Sequence, residues 1–388
     1  TGLAEGTQTV LVRQTDLVGN VSSTNTFTFT LDKTVAAPTV ALANDTGSSS
    51  TDKNTFDPTL SVSGETGAQV QYSIDSGTTW VNSMPTLTDG AKAIKVRQTD
   101  VAGNVSSVTD YTFTLDRTGQ PLTVALVTDT FVASNDSTKT DKISSNVTLT
   151  ITGLETGSSW QYSTDDGANW SVSTLKSSGT TFSLTGDGAK TVVVRQTDLS
   201  GNVSEVSSAY TFTRDTTTAT PTLSLASDTG SSATHKITNV GVVNVAGLEA
   251  GAVWRYSLDN GTTWNAGTGT TFTVANSGGD NAVARTVKVE QTDLAGNVAT
   301  SSDFTFTLDA AGPAQASLAL ASDSGTSNSD RYTNTGTVNL TGLEAGATWT
   351  YSTNGGVTWN AGSGTAVTLT GDGAKTMVVR QTDVAGNT

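Results

Sequence analysis

The stretch Val192-Val-Val-Arg-Gln-Thr-Asp-Leu-Ser-Gly-Asn202 decides how this chain is organised. It opens as an apolar strand and closes in Thr-Asp-x-x-Gly-Asn, a string made of turn-forming residues. The same string returns with its aspartate at Asp16, Asp100, Asp198, Asp293 and Asp383. The spacing is roughly 90 residues, and a repeat that long is a whole domain, not one turn of a solenoid. In one copy Glu290 takes the place of the arginine.

Working outward, each copy is followed by a second strand of period two, such as Phe27-Thr-Phe-Thr-Leu31, Tyr111-Thr-Phe-Thr-Leu115 or Phe304-Thr-Phe-Thr-Leu308. Apolar residues fall on one face of these strands and threonines on the other. A linker and a further strand follow, as in Pro221-Thr-Leu-Ser-Leu225. Turn sequences such as Asp165-Asp-Gly-Ala and Asp259-Asn-Gly-Thr separate the strands. About seven short strands per unit and no helical period describe an all-β fold of tandem immunoglobulin-like β-sandwich domains. The units expected are 36–118, 119–217, 218–311 and 312–388. Residues 1–35 carry only the last two strands of a preceding unit, and the fourth unit lacks its last strand. In the first unit strand A is expected near 38–43, B near 60–63, C near 69–74, F near 93–98 and G near 111–115. Trp160, Trp254 and Trp349, each two residues before a tyrosine, belong on the core face of strand C. Trp80, Trp170, Trp264 and Trp359 follow the next turn and are expected to staple that hairpin.

Composition narrows the function. Charged residues are 14% of the 388, with 35 acids against 20 bases and a net charge of −15. Such a surface cannot neutralise a run of phosphates, so nucleic acid is excluded as a partner. It suits a cation. There are no cysteines, which excludes disulfides and thiolate metal sites and fits either a sulfur-poor cytosolic protein or one exported unfolded. No apolar run approaches the roughly 18 residues of a membrane span, and residues 1–30 do not read as a signal peptide.

The acids recur in register. At the pole where the chain enters a sandwich, the B–C loop carries Glu65, Glu155, Glu249 and Glu344. The F–G loop there carries Asp100, Asp198, Asp293 and Asp383, with Asn104, Asn202, Asn297 and Asn387. The linker opens on Asp32, Asp116, Asp215 and Asp309. Each junction should thus gather three carboxylates and an amide oxygen, for example Asp116, Glu155, Asp198 and Asn202. That is a hard-oxygen set suited to Ca²⁺. At the other pole the A–B loop reads Asp45-Thr-Gly-Ser-Ser-Ser-Thr-Asp52, with parallels at Asp228-Thr-Gly and at Asp323-Ser-Gly through Asp330. These acids either cap backbone amides or form a second calcium loop. No copy is a twelve-residue, helix-flanked calcium loop.

Arg195-Gln-Thr-Asp-Leu-Ser-Gly-Asn202, Asp228-Thr-Gly-Ser-Ser232 and Thr305-Phe-Thr-Leu-Asp309 resemble the repeats of long bacterial adhesins of the biofilm-associated and RTX type. The resemblance implies an extender that projects a distal binding domain, with calcium rigidifying the linkers, at the bacterial cell surface and outside the cell. Asp32, Asp116, Asp215 and Asp309, with the F–G aspartates, match the linker-calcium positions. Arg214 before Asp215, and Ala310-Ala-Gly-Pro313 in place of a threonine-rich linker, depart from the pattern, so the junction into 312–388 is expected to fit least well. An enzyme is not expected: the single histidine, His235, reads as a solvated loop residue, and the carboxylates recur once per unit instead of pairing once. A self-assembling filament or surface-layer subunit, and a carbohydrate-binding module, are the alternatives. The mismatched ends would allow a head-to-tail contact in which Phe27–Leu31 of one chain completes the last unit of the next.

Overall fold

The computed structural model describes residues 2–130, 141–171, 179–276 and 282–388. They contain strands and turns and no helix. No helix among them could cross a membrane. The chain forms two compact units. One comprises 1–127, 147–185 and 189–211; the other comprises 128–146, 186–188 and 212–388.

In the first unit, Gly6–Val12 and Asn25–Leu31 pair as an antiparallel hairpin. Residues 1–35 thus contain one pair of strands, with Val10 opposite Phe27. The sandwich of 36–118 follows. Strand A (Thr39–Leu42) pairs with B (Leu60–Ser63), with Val40 opposite Val62. The facing sheet runs A′–G–F–C. It consists of Asn54–Thr55, Thr109–Leu115, Gly90–Thr99 and Gln69–Ser73. The alternating apolar residues of both sheets meet in one core of Leu87, Ile94, Val96, Phe113 and Leu115, with Val40, Leu42, Leu60, Val62 and Tyr72 against it. Period two therefore did what it predicts: F and G bury alternate residues, and A and B turn alternate, partly buried residues toward them. From 119–217 the same unit holds the sheet A–B–E of Thr123–Leu126, Thr148–Thr152 and Thr181–Ser183. It also holds Ser159–Ser163 paired with the F strand, Trp160 opposite Gln196.

The second unit holds the most complete sandwich, 218–311. Its sheets are A–B–E and A′–G–F–C–C′. The first is Thr222–Leu225, Val242–Ala246 and Thr271–Thr273. The second is Ile237–Thr238, Phe304–Leu308, Val283–Thr292, Val253–Ser257 and Asn265–Ala266. Val243, Val245, Trp254, Phe272, Val287, Val289, Phe306 and Leu308 fill the space between them. In 312–388, A–B–E and C′–C–F are formed.

Each strand C tryptophan is buried as expected, with 5%, 8% and 6% exposed at Trp160, Trp254 and Trp349. Its indole N–H donates to Gly179 O, Gly269 O or Gly364 O at 3.0–3.1 Å, so burial leaves no orphan donor. The hairpin tryptophans are staples: Arg97 lies over Trp80, Arg195 over Trp170 and Arg380 over Trp359, at 4.0–4.2 Å from guanidinium to ring. The two-residue A′ strand, parallel to G with Asn54 opposite Thr114, is an element that the sequence reading folded into the A–B loop.

Candidate metal centres

The Thr-Asp-x-x-Gly-Asn string closes on itself. In Asp100–Asn104 the backbone N–H of Asn104 donates to Asp100 Oδ1 at 2.8 Å, and its side-chain amide donates to Oδ2 at 2.7 Å. Asp198, Asp293 and Asp383 repeat this with Asn202, Asn297 and Asn387. The loop thus holds a nearly buried carboxylate, 2% exposed at Asp293 and 4% at Asp383. Burial pushes the Asp100 carboxyl up, but the Asn104 side chain and the amides of Asn104, Gly103 and Ala102 outweigh it and hold it below its ordinary value.

Each asparagine also crosses to the linker. Its side-chain N–H donates to the backbone carbonyl of the linker aspartate: Asn104 to Asp32 at 3.3 Å, Asn202 to Asp116 at 2.9 Å, Asn297 to Asp215 at 3.0 Å and Asn387 to Asp309 at 2.8 Å. The amide nitrogen is committed to positioning. Only the amide oxygen is left to serve as the ligand atom the sequence suggested.

The glutamate is set by a residue the sequence reading passed over. Gln98, Gln196, Gln291 and Gln381, the glutamines of the Arg/Glu-Gln-Thr-Asp strands, are almost wholly buried. Each accepts from the backbone N–H of Glu65, Glu155, Glu249 or Glu344 at 2.9–3.0 Å. Each also donates to a linker carbonyl: Ala36 O, Gln120 O, Ala219 O or Ala314 O. One buried amide therefore ties F strand, B–C loop and linker together. A polar residue facing inward from an alternating strand was the available signal.

With these supports the acids converge. Carboxylate oxygens of Asp32, Glu65 and Asp100 lie within 4.8 Å of one another, as do those of Asp215, Glu249 and Asp293, and of Asp309, Glu344 and Asp383. Oxygens bound to one Ca²⁺ at roughly 2.4 Å can be at most about 4.8 Å apart, so each triad is within reach of a single ion. The triad at the junction into 312–388 costs energy as it stands. Burial, then the nearby Asp383 and Asp309 carboxylates, push the Glu344 carboxyl above its ordinary range. Burial also raises Glu155; a bond from the Gln120 amide opposes this, and Asp198 and Asp116 add to it. At that junction Asp116, Glu155 and Asp198 influence one another without forming so tight a group. The departure falls there, and the junction into 312–388, where the linker deviates most, forms a triad.

The acids of the other pole do cap amides. Asp45, Asp228 and Asp323 accept through Oδ2 from the backbone N–H of Lys53, Lys236 and Arg331 at 2.9–3.0 Å. His235 is not a solvated loop residue; its side chain is 19% exposed, with Nδ1 2.9 Å from Asp228 Oδ1.

No family model matches the sequence, and no curated protein matches it. Among solved structures, the chain is similar to a tetra-tandem repeat in the extending region of a large adhesion protein, at 20% identity over 80% of this chain and 83% of that one, with a TM-score of 0.30. It is similar to a 1.5-MDa bacterial ice-binding adhesin at 18% identity over 64% of this chain and 88% of that one, with a TM-score of 0.25. It is also similar to the chicken CNTN1 FN1-FN3 domains at 8% identity over 71% of this chain and 98% of that one, with a TM-score of 0.26.

Proposed function

We propose that this chain is a stretch of the extender region of a large bacterial cell-surface adhesin, stiffened by Ca²⁺ at its inter-repeat junctions, and that it carries no catalytic activity. The observation that supports this most is the makeup of the triads. Asp215 and Asp309 come from the linker that leaves one repeat, whereas Glu249 with Asp293, and Glu344 with Asp383, belong to the next. An ion bound there replaces three-way repulsion by attraction and fastens the linker to the pole of the sandwich it enters. The chemistry it supplies is hard-cation bridging. The chain's own part is to hold the oxygens in place through the buried glutamines and the loop asparagines. Recurrence once per repeat suits a structural ligand set, and an extracellular site supplies calcium at about the 0.1–1 mM such modules need.

Thermal melting tests it. Ca²⁺ at about 100 times its dissociation constant contributes roughly 2.7 kcal/mol per site to the native state. The melting temperature should rise with Ca²⁺ and fall back in chelator. Melting that is the same in both would overturn the reading.

A further inference from the structure

The loop Asp228-Thr-Gly230 of 218–311 does more than cap its own backbone. It reaches the Thr-Asp-x-x-Gly-Asn loop of 312–388. Thr229 Oγ1 donates to Ala385 O at 2.5 Å, and Ser231 N donates to Val384 O at 3.3 Å. His235 spans the gap, with Nδ1 on Asp228 and Nε2 3.2 Å from Val384 O. Two glycines make the approach possible. A Cβ on Gly230 would lie 1.9 Å from Val384 O, and one on Gly386 would lie 3.0 Å from Gly230 N.

The arrangement repeats within the other unit. Thr46 Oγ1 donates to Ser200 O at 2.5 Å, and a Cβ on Gly47 would lie 2.0 Å from Leu199 O. Where 119–217 meets 218–311, Thr130 and Ser145 both donate to Ala295 O, at 2.6 and 3.0 Å. Every bond in this set ends on a backbone carbonyl of the next repeat's F–G loop. None uses a carboxylate of the triads.

The geometry points to a protein–protein latch: the Asp-Thr-Gly loop of one repeat is a docking surface for the F–G loop of the following repeat. It acts without metal, at a contact separate from the linker carboxylates. Its specificity is backbone shape. The donor loop offers a hydroxyl throughout and, in 36–118 and 218–311, a glycine after it; in 119–217, where the sequence reads Asp129-Thr130-Phe131, the hydroxyls of Thr130 and Ser145 make the contact. The acceptor presents the outward carbonyls of a turn whose fourth loop residue is glycine. Linker ion and latch are two fastenings of one junction, and two fastenings resist twisting where one permits it.

The absence of cysteine allows a clean test on the full chain. Spin labels at Ser224→Cys and Asn339→Cys report the distance between 218–311 and 312–388 by pulsed dipolar spectroscopy. The expected result in chelator is a single narrow distribution, broadened at least twofold by Gly230→Val and also by Thr229→Val, which adds no backbone strain. Gly325→Val is the control for strain alone: Gly325 has φ +112° with no atom within 4 Å of a Cβ, so its distribution should stay narrow. The latch is overturned if the chelated wild type is already as broad as the variants, or if Gly325→Val broadens it equally. Adding Ca²⁺ to the same samples reports the linker ion separately, so either fastening can fail without the other.

Discussion

Carboxylates of opposite character occur along this chain, and Glu155 and Asp165 of 119–217 are one of each. In the C–C′ turns Asp75, Asp165 and Asp259 are held at about 2, chiefly by the Thr79 hydroxyl, the Ser163 hydroxyl and the Thr263 hydroxyl, with backbone amides beside them. A folded value below the ordinary 3.8 means stability that is present above about pH 4 and lost as pH falls toward 2. Glu155 and Glu344 are raised above the ordinary 4.5, so their sign is the reverse. The fold favours their protonated form, and that contribution is complete below about pH 4.5 and lost as pH rises through the raised value. A bound cation cancels the loss. Glu344→Gln should therefore raise the melting temperature in chelator at neutral pH by ~1–2 °C, the size of a fraction of a kcal/mol in a chain this large. The same variant should lose the calcium response of its junction. A variant less stable than wild type in chelator would show that Glu344 is not held against its neighbours' charge.

Between elements, the C and F strands carry a charge exchange that the sequence shows only as an oddity. In 36–118 Gln71 faces Arg97 across the sheet, and the guanidinium covers Trp80. In 218–311 the residues at the same register are Arg255 and Glu290. The cation has moved to the partner strand, where it still covers Trp264 at 5.0 Å and pairs with Glu290 at 2.6 Å. Glu290 in place of arginine is thus one half of a swap. Glu290→Arg alone should set two cations opposite each other and cost about 0.5–1 kcal/mol, and adding Arg255→Gln should recover most of it. Additive losses in denaturant melts of the two single variants and the double variant would refute the pairing. Strands were legible because an alternating run has one place to put its apolar face, and Phe304–Leu308 could not be read otherwise. The A′ strand was not, since two residues have no period. The buried glutamines were missed because an isolated amide within Arg-Gln-Thr reads as solvent-facing. His235 was misread because its partners, Asp228 and Val384, lie 7 and 149 residues away.

At the scale of the whole molecule, the cores and the junctions should respond to calcium differently. The cores around Val96 and Phe113, and around Val289 and Phe306, contain no triad residue. Removing an ion takes no apolar contact from them, so far-UV circular dichroism should be the same with Ca²⁺ and in chelator. The junctions are not equal to one another. The F–G loop of 36–118 has its Gly103 in the open, with no atom within 4 Å of a Cβ, whereas Gly201 and Gly386 are packed against Gly47 and Gly230. Among the described residues Gly103 meets no Asp-Thr-Gly loop, and what joins residues 1–35 to 36–118 is the linker with its triad of Asp32, Glu65 and Asp100. Chelation should loosen it most. Labels at Thr28→Cys and Ser61→Cys should give a distance distribution that is narrow with Ca²⁺ and several-fold broader in chelator. The pair across 218–311 and 312–388 should change much less. Small-angle scattering should show the same trend as a smeared long-distance tail in chelator. Equal broadening at both junctions would mean that calcium alone orders them, and no broadening at the first would mean that its three carboxylates hold no ion.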